Sequence, residues 1–166
     1  MPEPDRIPTE RLAELVSSAS YGTVLVLAAL SVIGVSDVAL GVGSELVAGV
    51  GVATFLAHLF AELLANHVRH HEPLRGDEIV RDMVDGSPIL FSTVLPALML
   101  MLGRFDVLSD SAARITAILV TVLQLLAIGA FVGRLAPRRS AAHWVYAALT
   151  AAAGLSVVAL TVLLGH

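Results

Sequence analysis

Residues 46–66 read LVAGVGVATFLAHLFAELLAN, an apolar run as long as a helix needs to cross the hydrocarbon core of a bilayer. Two ionisable residues interrupt it, His58 and Glu62, four positions apart and therefore on one helical face. They belong to a longer polar row of Thr54, His58, Glu62 and Asn66. A row of small residues, Gly49, Ala53, Ala57, Ala61 and Ala65, keeps the same spacing one position earlier. Small residues let helices approach closely in membranes, so this row is expected to pack against a neighbouring helix. The polar row beside it is then expected to face protein or a cavity rather than lipid.

The whole chain extends that pattern. It has 166 residues, 57% of them hydrophobic and 14% charged, with a mean hydropathy of +0.85. A soluble domain carries about a quarter charged residues. The reading is an all-α membrane protein, a bundle of about five transmembrane helices over 15–36, 46–66, 88–102, 112–132 and 141–164, following a polar, proline-punctuated segment at 1–14. Helices are required because lipid cannot satisfy backbone groups, and no stretch alternates as a barrel strand does. The acidic, proline-containing start lacks the basic region of a cleavable signal peptide. The absence of cysteine excludes disulfides, thiolate metal sites and cysteine nucleophiles. A net charge of −4 gives no reason to expect nucleic acid as a partner; the partner implied is the lipid bilayer. All ten basic residues are arginine, and Ala, Val, Leu and Gly are abundant, which points to a GC-rich bacterial genome.

The connections carry their own signals. Residues 37–45, DVALGVGSE, read as a short turn, and Glu45 suits the positive end of the helix that follows. Residues 77–86, DEIVRDMVDG, place Ile79, Val80, Met83 and Val84 at helical spacing, which predicts a short interfacial helix between spans two and three. Ser87-Pro88 reads as the N-cap and first position of the third span, and Pro96 is expected to kink it. Ser109 or Asp110 caps the fourth span, and Pro137 separates it from the fifth. Arg6, Arg11, Arg69, Arg75, Arg81, Arg134, Arg138 and Arg139 fall on one side of this topology, against Arg104 and Arg114 on the other. The positive-inside rule then places the N-terminus in the cytoplasm and the C-terminus outside, across a bacterial inner membrane.

His58 and Glu62 form the leading candidate site, with Thr54, Asn66, Thr121 and Gln124 as its polar surroundings. About 6 Å of helical rise separates the pair, close enough for a hydrogen bond or an ion pair. An ionised carboxylate in the hydrocarbon region costs roughly 2.5–3.5 kcal/mol on insertion scales, so Glu62 must be neutral, paired or wetted. One reading is a proton relay, cation site or ligand anchor. The other is an interhelical clamp, with Gln124 or Thr121 of the fourth span as partner. His67 and His71 have the spacing that chelates a divalent metal on a helix, with Glu72 beside them. Arg69 between them and Pro73 just after favour headgroup-facing imidazoles instead. His143, Trp144 and Tyr146 read as an aromatic belt opening the fifth span. No phosphate loop or nucleophile elbow is present. Glu62 is the one acid deep in a predicted span, so a catalytic carboxylate pair across two spans, and with it an enzyme, is not expected.

Tyr21-Gly22-Thr23, Leu56-Ala57-His58, Gln124-Leu125 and the apolar run closing on His166 give the chain a further likeness. In these it resembles a group of small multi-pass membrane proteins of actinobacteria. The resemblance implies a membrane bundle over nearly the whole chain and carries no mechanism. The expectation is a small proton- or cation-handling transporter or channel-like protein without a cofactor. It is expected to be homo-oligomeric, because five helices leave limited room for a pathway. The alternatives are a structural or partner-binding membrane subunit, and a metal or haem protein using His58 with His67 and His71.

Overall fold

Backbone amides in hydrocarbon must find partners within the protein, and the described residues meet that demand with helices alone. The structure, a computed structural model, describes residues 9–70 and 76–135 together with Ala152, Ser156 and Ala159. The helices are α1 (Thr9–Val32), α2 (Val35–Ala39), α3 (Val42–His70), α4 (Gly76–Arg104) and α5 (Asp110–Leu135). Four of them, α1, α3, α4 and α5, are long and apolar enough to cross a membrane. Their outer surface is apolar as well: Val52, Leu56, Phe60, Phe91, Leu98, Leu119 and Leu123 are all exposed. A water-soluble monomer does not leave so continuous an apolar surface uncovered, whereas lipid covers it.

Helices α1 and α4 form the central pair, and α3 and α5 each pack against both while making no contact with one another. The central crossing is close because Gly22 presents no side chain. A Cβ there would stand 2.9 Å from the Ile89 Cα and 2.7 Å from the Ser92 hydroxyl. On α5 the packed row is Ala113, Ala117 and Thr121, each fully buried. With Val26, Leu30, Ile33, Val38, Val47 and Leu100, the two alanines complete a dry core in the half of the bundle remote from residue 9.

The connections at the dry-core end are short and tightly bonded. Gly34 breaks the first helix, and its N–H donates to the Asp37 carboxylate at 2.7 Å, which starts α2. The first span therefore ends at Val32 and not at 36 as expected. Gly41 turns the chain into α3 with φ +78°, a conformation glycine adopts without strain. Arg114 donates from Nε to the Ile33 carbonyl at 2.6 Å, and Arg104 donates from Nη1 to the Leu40 carbonyl at 3.3 Å. Both arginines thus serve carbonyls that helix ends leave unpaired. The Ser109 side chain accepts from the Ala112 N–H at 3.4 Å, so Ser109 is the cap of α5.

Three expectations are corrected. Residues 77–86 are not a separate interfacial helix, and Ser87-Pro88 does not begin the third span, because α4 runs unbroken from Gly76 to Arg104. The reason is a substitution of donors. Pro88 has no N–H to offer the Val84 carbonyl, and the Ser87 hydroxyl donates to that carbonyl at 2.7 Å. The small-residue row of α3 does not pack inward: Gly49, Ala53, Ala57 and Ala61 are exposed, and a Cβ on Gly49 would meet nothing within 4 Å. The close approach of α3 to α4 is made by Gly51, against Thr93. Span 141–164 lies outside the described residues except Ala152, Ser156 and Ala159, which are helical.

Candidate functional site

Helix α1 starts where α3 ends and α4 starts, so three polar helix segments converge at one end of the bundle. Between them lies a cavity of about 530 Å³. Helix α1 contributes Arg11, Glu14, Ser17 and Ser18; α3 contributes His58, Glu62 and Asn66; α4 contributes Arg81, Asp82 and Asp85. Four carboxylates thus share the cavity with two guanidiniums, a formal excess of acids over bases in the lining.

The polar row of α3 does face this cavity. Its four-residue spacing puts His58, Glu62 and Asn66 on the lining, and Thr54, one turn deeper, is buried. His58 and Glu62 share the cavity, but among the described residues no direct bond joins them. His58 Nε2 instead lies 3.4 Å from the Ser18 hydroxyl of α1, at the outer limit of a hydrogen bond. The ring is held from below by Gly86 of α4, where a Cβ would stand 3.1 Å from His58 Cδ2. Asp82 lies within electrostatic reach of Glu62, Asp85 and Arg81. Asn66 Nδ2 donates to Asp82 Oδ2 at 3.0 Å, tying α3 to α4. Arg11 Nε donates to Asp85 Oδ1 at 2.9 Å, tying α1 to α4.

His58 and Ser18 form the floor. Beyond them stand Phe55 and Gly86, then the dry core. The buried hydroxyls of Thr23, Ser92 and Thr93, further along α1 and α4, donate to their own helices at Ala19, Ile89 and Leu90. The polar space therefore opens at one end and is closed by packed side chains at the other.

Thr121 and Gln124 are not part of this site. They sit on α5, which does not touch α3. The Thr121 hydroxyl donates to Ala117 at 2.8 Å, and the buried Gln124 Oε1 has no partner among the described residues. Neither contacts the polar row, where one expectation had them as its partners; the row's interhelical contacts are to Ser18 and Asp82. His67 is exposed at the end of α3, and His71 lies outside the described residues, so their spacing is not placed. Among the described residues no three His, Asp or Glu side chains converge closely enough to hold a metal ion.

Sequence reasoning missed the α1 residues Arg11, Glu14, Ser17 and Ser18 and, on α4, Arg81 and above all Asp82 and Asp85. Assigning residues 77–86 to the interface removed both acids from the bundle, and with them the pairing of α4 acids against Glu62. A signal was present: Asp82, Asp85 and Ile89 keep the three- and four-residue spacing of one helical face across the apparent boundary at Ser87. The chain matches no protein-family model, no curated protein and no solved structure.

Proposed function

We propose that this membrane protein takes up protons or small hydrated cations into the acidic cavity, as a small proton- or cation-handling transporter. The observation that carries the reading is the charge imbalance of the lining: Glu14, Glu62, Asp82 and Asp85 against Arg11 and Arg81. Low-dielectric walls focus such a field and raise the local concentration of cations. An ionisable residue in a span is expensive unless it works, and here three acids lie on the facing α3 and α4 segments. The cavity opens at the end where Arg11, Arg81 and Arg134 lie, which supports a cytoplasmic mouth by the positive-inside rule. A bacterial inner membrane fits that orientation. The closed floor favours a site that fills from one side and empties after a rearrangement, not an open channel.

A second reading has an observation of its own. Asn66 to Asp82 and Ser18 to His58 are both interhelical contacts, as expected of a subunit whose polar row locks helix packing. Purified protein in liposomes separates the two. With an imposed pH gradient and a trapped pH dye, the transporter reading expects dissipation faster than in protein-free liposomes. It further expects Glu62→Gln to lose that flux while the protein elutes unchanged in size-exclusion chromatography. The packing reading expects no flux in either.

A further inference from the structure

Helix α4 changes character at Gly86-Ser87-Pro88. Before this triplet, Arg81, Asp82 and Asp85 line the cavity; after it, Ile89, Pro96 and Leu100 are buried in apolar surroundings. The change coincides with the cavity floor, because Gly86 lies against the rings of His58 and Phe55. It coincides also with the break in the helix's own hydrogen bonding. The Val84 carbonyl, deprived of an N–H by Pro88, is served by the Ser87 hydroxyl. A donor on a rotatable side chain satisfies the carbonyl without fixing the backbone, and bends in long helices concentrate at such positions.

Two of the side-chain ties that fasten the segment before the triplet run to α1 and α3. One is Arg11 to Asp85 from α1 and the other Asn66 to Asp82 from α3. The arginine of the first tie is 44% exposed and its aspartate 12%. Such a half-solvated ion pair biases a position without locking it. The outward residues Val80, Met83 and Val84 are exposed, so no packed neighbour among the described residues blocks an outward swing.

We propose that residues 76–86 of α4 are an arm that swings about Gly86–Pro88 and sets how far the cavity opens, with the Arg11–Asp85 pair as its latch. The arm rests on the transporter reading only in giving that site a conformational control; the motion itself can be measured without a substrate. The chain has no cysteine, so Val80→Cys on the arm and Leu126→Cys on α5 can carry the two spin labels. Both positions are exposed. In lipid nanodiscs, pulsed dipolar spectroscopy should give one distance population for the latched chain and add a second in Asp85→Asn. Arg11→Gln should add the same population while leaving every cavity carboxylate in place, and it stands in if Asp85→Asn fails to fold. Adding Pro88→Ala, which restores the backbone N–H, should abolish the second population. Superimposable distributions in latched and released chains would overturn the proposal, as would a second population that persists with Pro88→Ala. Flux absent from liposomes but a second population present would refute the transporter reading and leave the arm intact.

Discussion

The imidazole of His58 on α3 lies close against Gly86 on α4: a Cβ at 86 would stand 3.1 Å from His58 Cδ2 and 3.3 Å from Phe55 Cε2. Both neighbours are rings that can yield by a few tenths of an ångström, and alanine is favoured over glycine in a helix by about 1 kcal/mol. Gly86→Ala should therefore fold with a stability change within about 1 kcal/mol and still shift the His58 ring resonances in micelle NMR. Gly86→Val should cost about 1–3 kcal/mol by overpacking. Unchanged His58 resonances in Gly86→Ala would mean the ring does not rest there.

Glycines and alanines on the two faces of the bundle should respond in opposite ways. Gly22→Ala forces a methyl into the Ile89 backbone and the Ser92 hydroxyl, and should destabilise by about 1–3 kcal/mol. Gly49→Ala adds a methyl in open space and should be neutral or stabilising by up to about 1 kcal/mol. Ala57→Leu, on the same exposed face, should stay within about 0.5 kcal/mol. Thermal unfolding in detergent compares all three. A severe loss in Ala57→Leu would show that another helix covers that face.

Asp85 is mostly buried, and Arg11 is its partner. Arg11→Gln should destabilise by about 1–3 kcal/mol, less than for a fully buried pair because the arginine is half solvated. Adding Asp85→Asn should recover part of that loss, since the unpaired charge is removed along with its partner. The coupling from the double-mutant cycle measures the pair; strictly additive losses would show that the contact carries no energy.

The same logic applies to Ser87 and Pro88. Ser87→Ala strands the Val84 carbonyl and should cost about 1 kcal/mol. In a Pro88→Ala background the backbone N–H serves that carbonyl, so Ser87→Ala should become silent. Equal costs in both backgrounds would contradict the exchange of donors described for α4.

Hydropathy and helical spacing revealed the class of fold and the face of α3 that carries His58, Glu62 and Asn66, because insertion and burial act on each helix before helices choose neighbours. Neighbour choice was not legible. Residues 49, 53, 57 and 61 lie about 100° around the helix from 50, 54, 58 and 62, so one row faces lipid while the other faces protein. Small size alone could not say which. Ser87-Pro88 misled for a chemical reason: the hydroxyl that caps a helix start is equally able to replace a missing N–H inside one. That single ambiguity displaced Asp82 and Asp85 from the site. The separation of α3 from α5, which removes Thr121 and Gln124, is a property of packing that no local pattern records.

A transporter built on this site needs a cavity that is wet, and wet from one side. Ser17→Cys lines the cavity, and Val107→Cys sits exposed in the turn at the opposite end of the bundle. With no native cysteine to interfere, each can be challenged with a membrane-impermeant thiol reagent in intact cells and in inside-out membrane vesicles. Ser17→Cys should react in inside-out vesicles and be protected in intact cells, and Val107→Cys should show the reverse. Labelling of Ser17→Cys from the outside of intact cells, or its protection in both preparations, would contradict a water-filled cavity open to the cytoplasm.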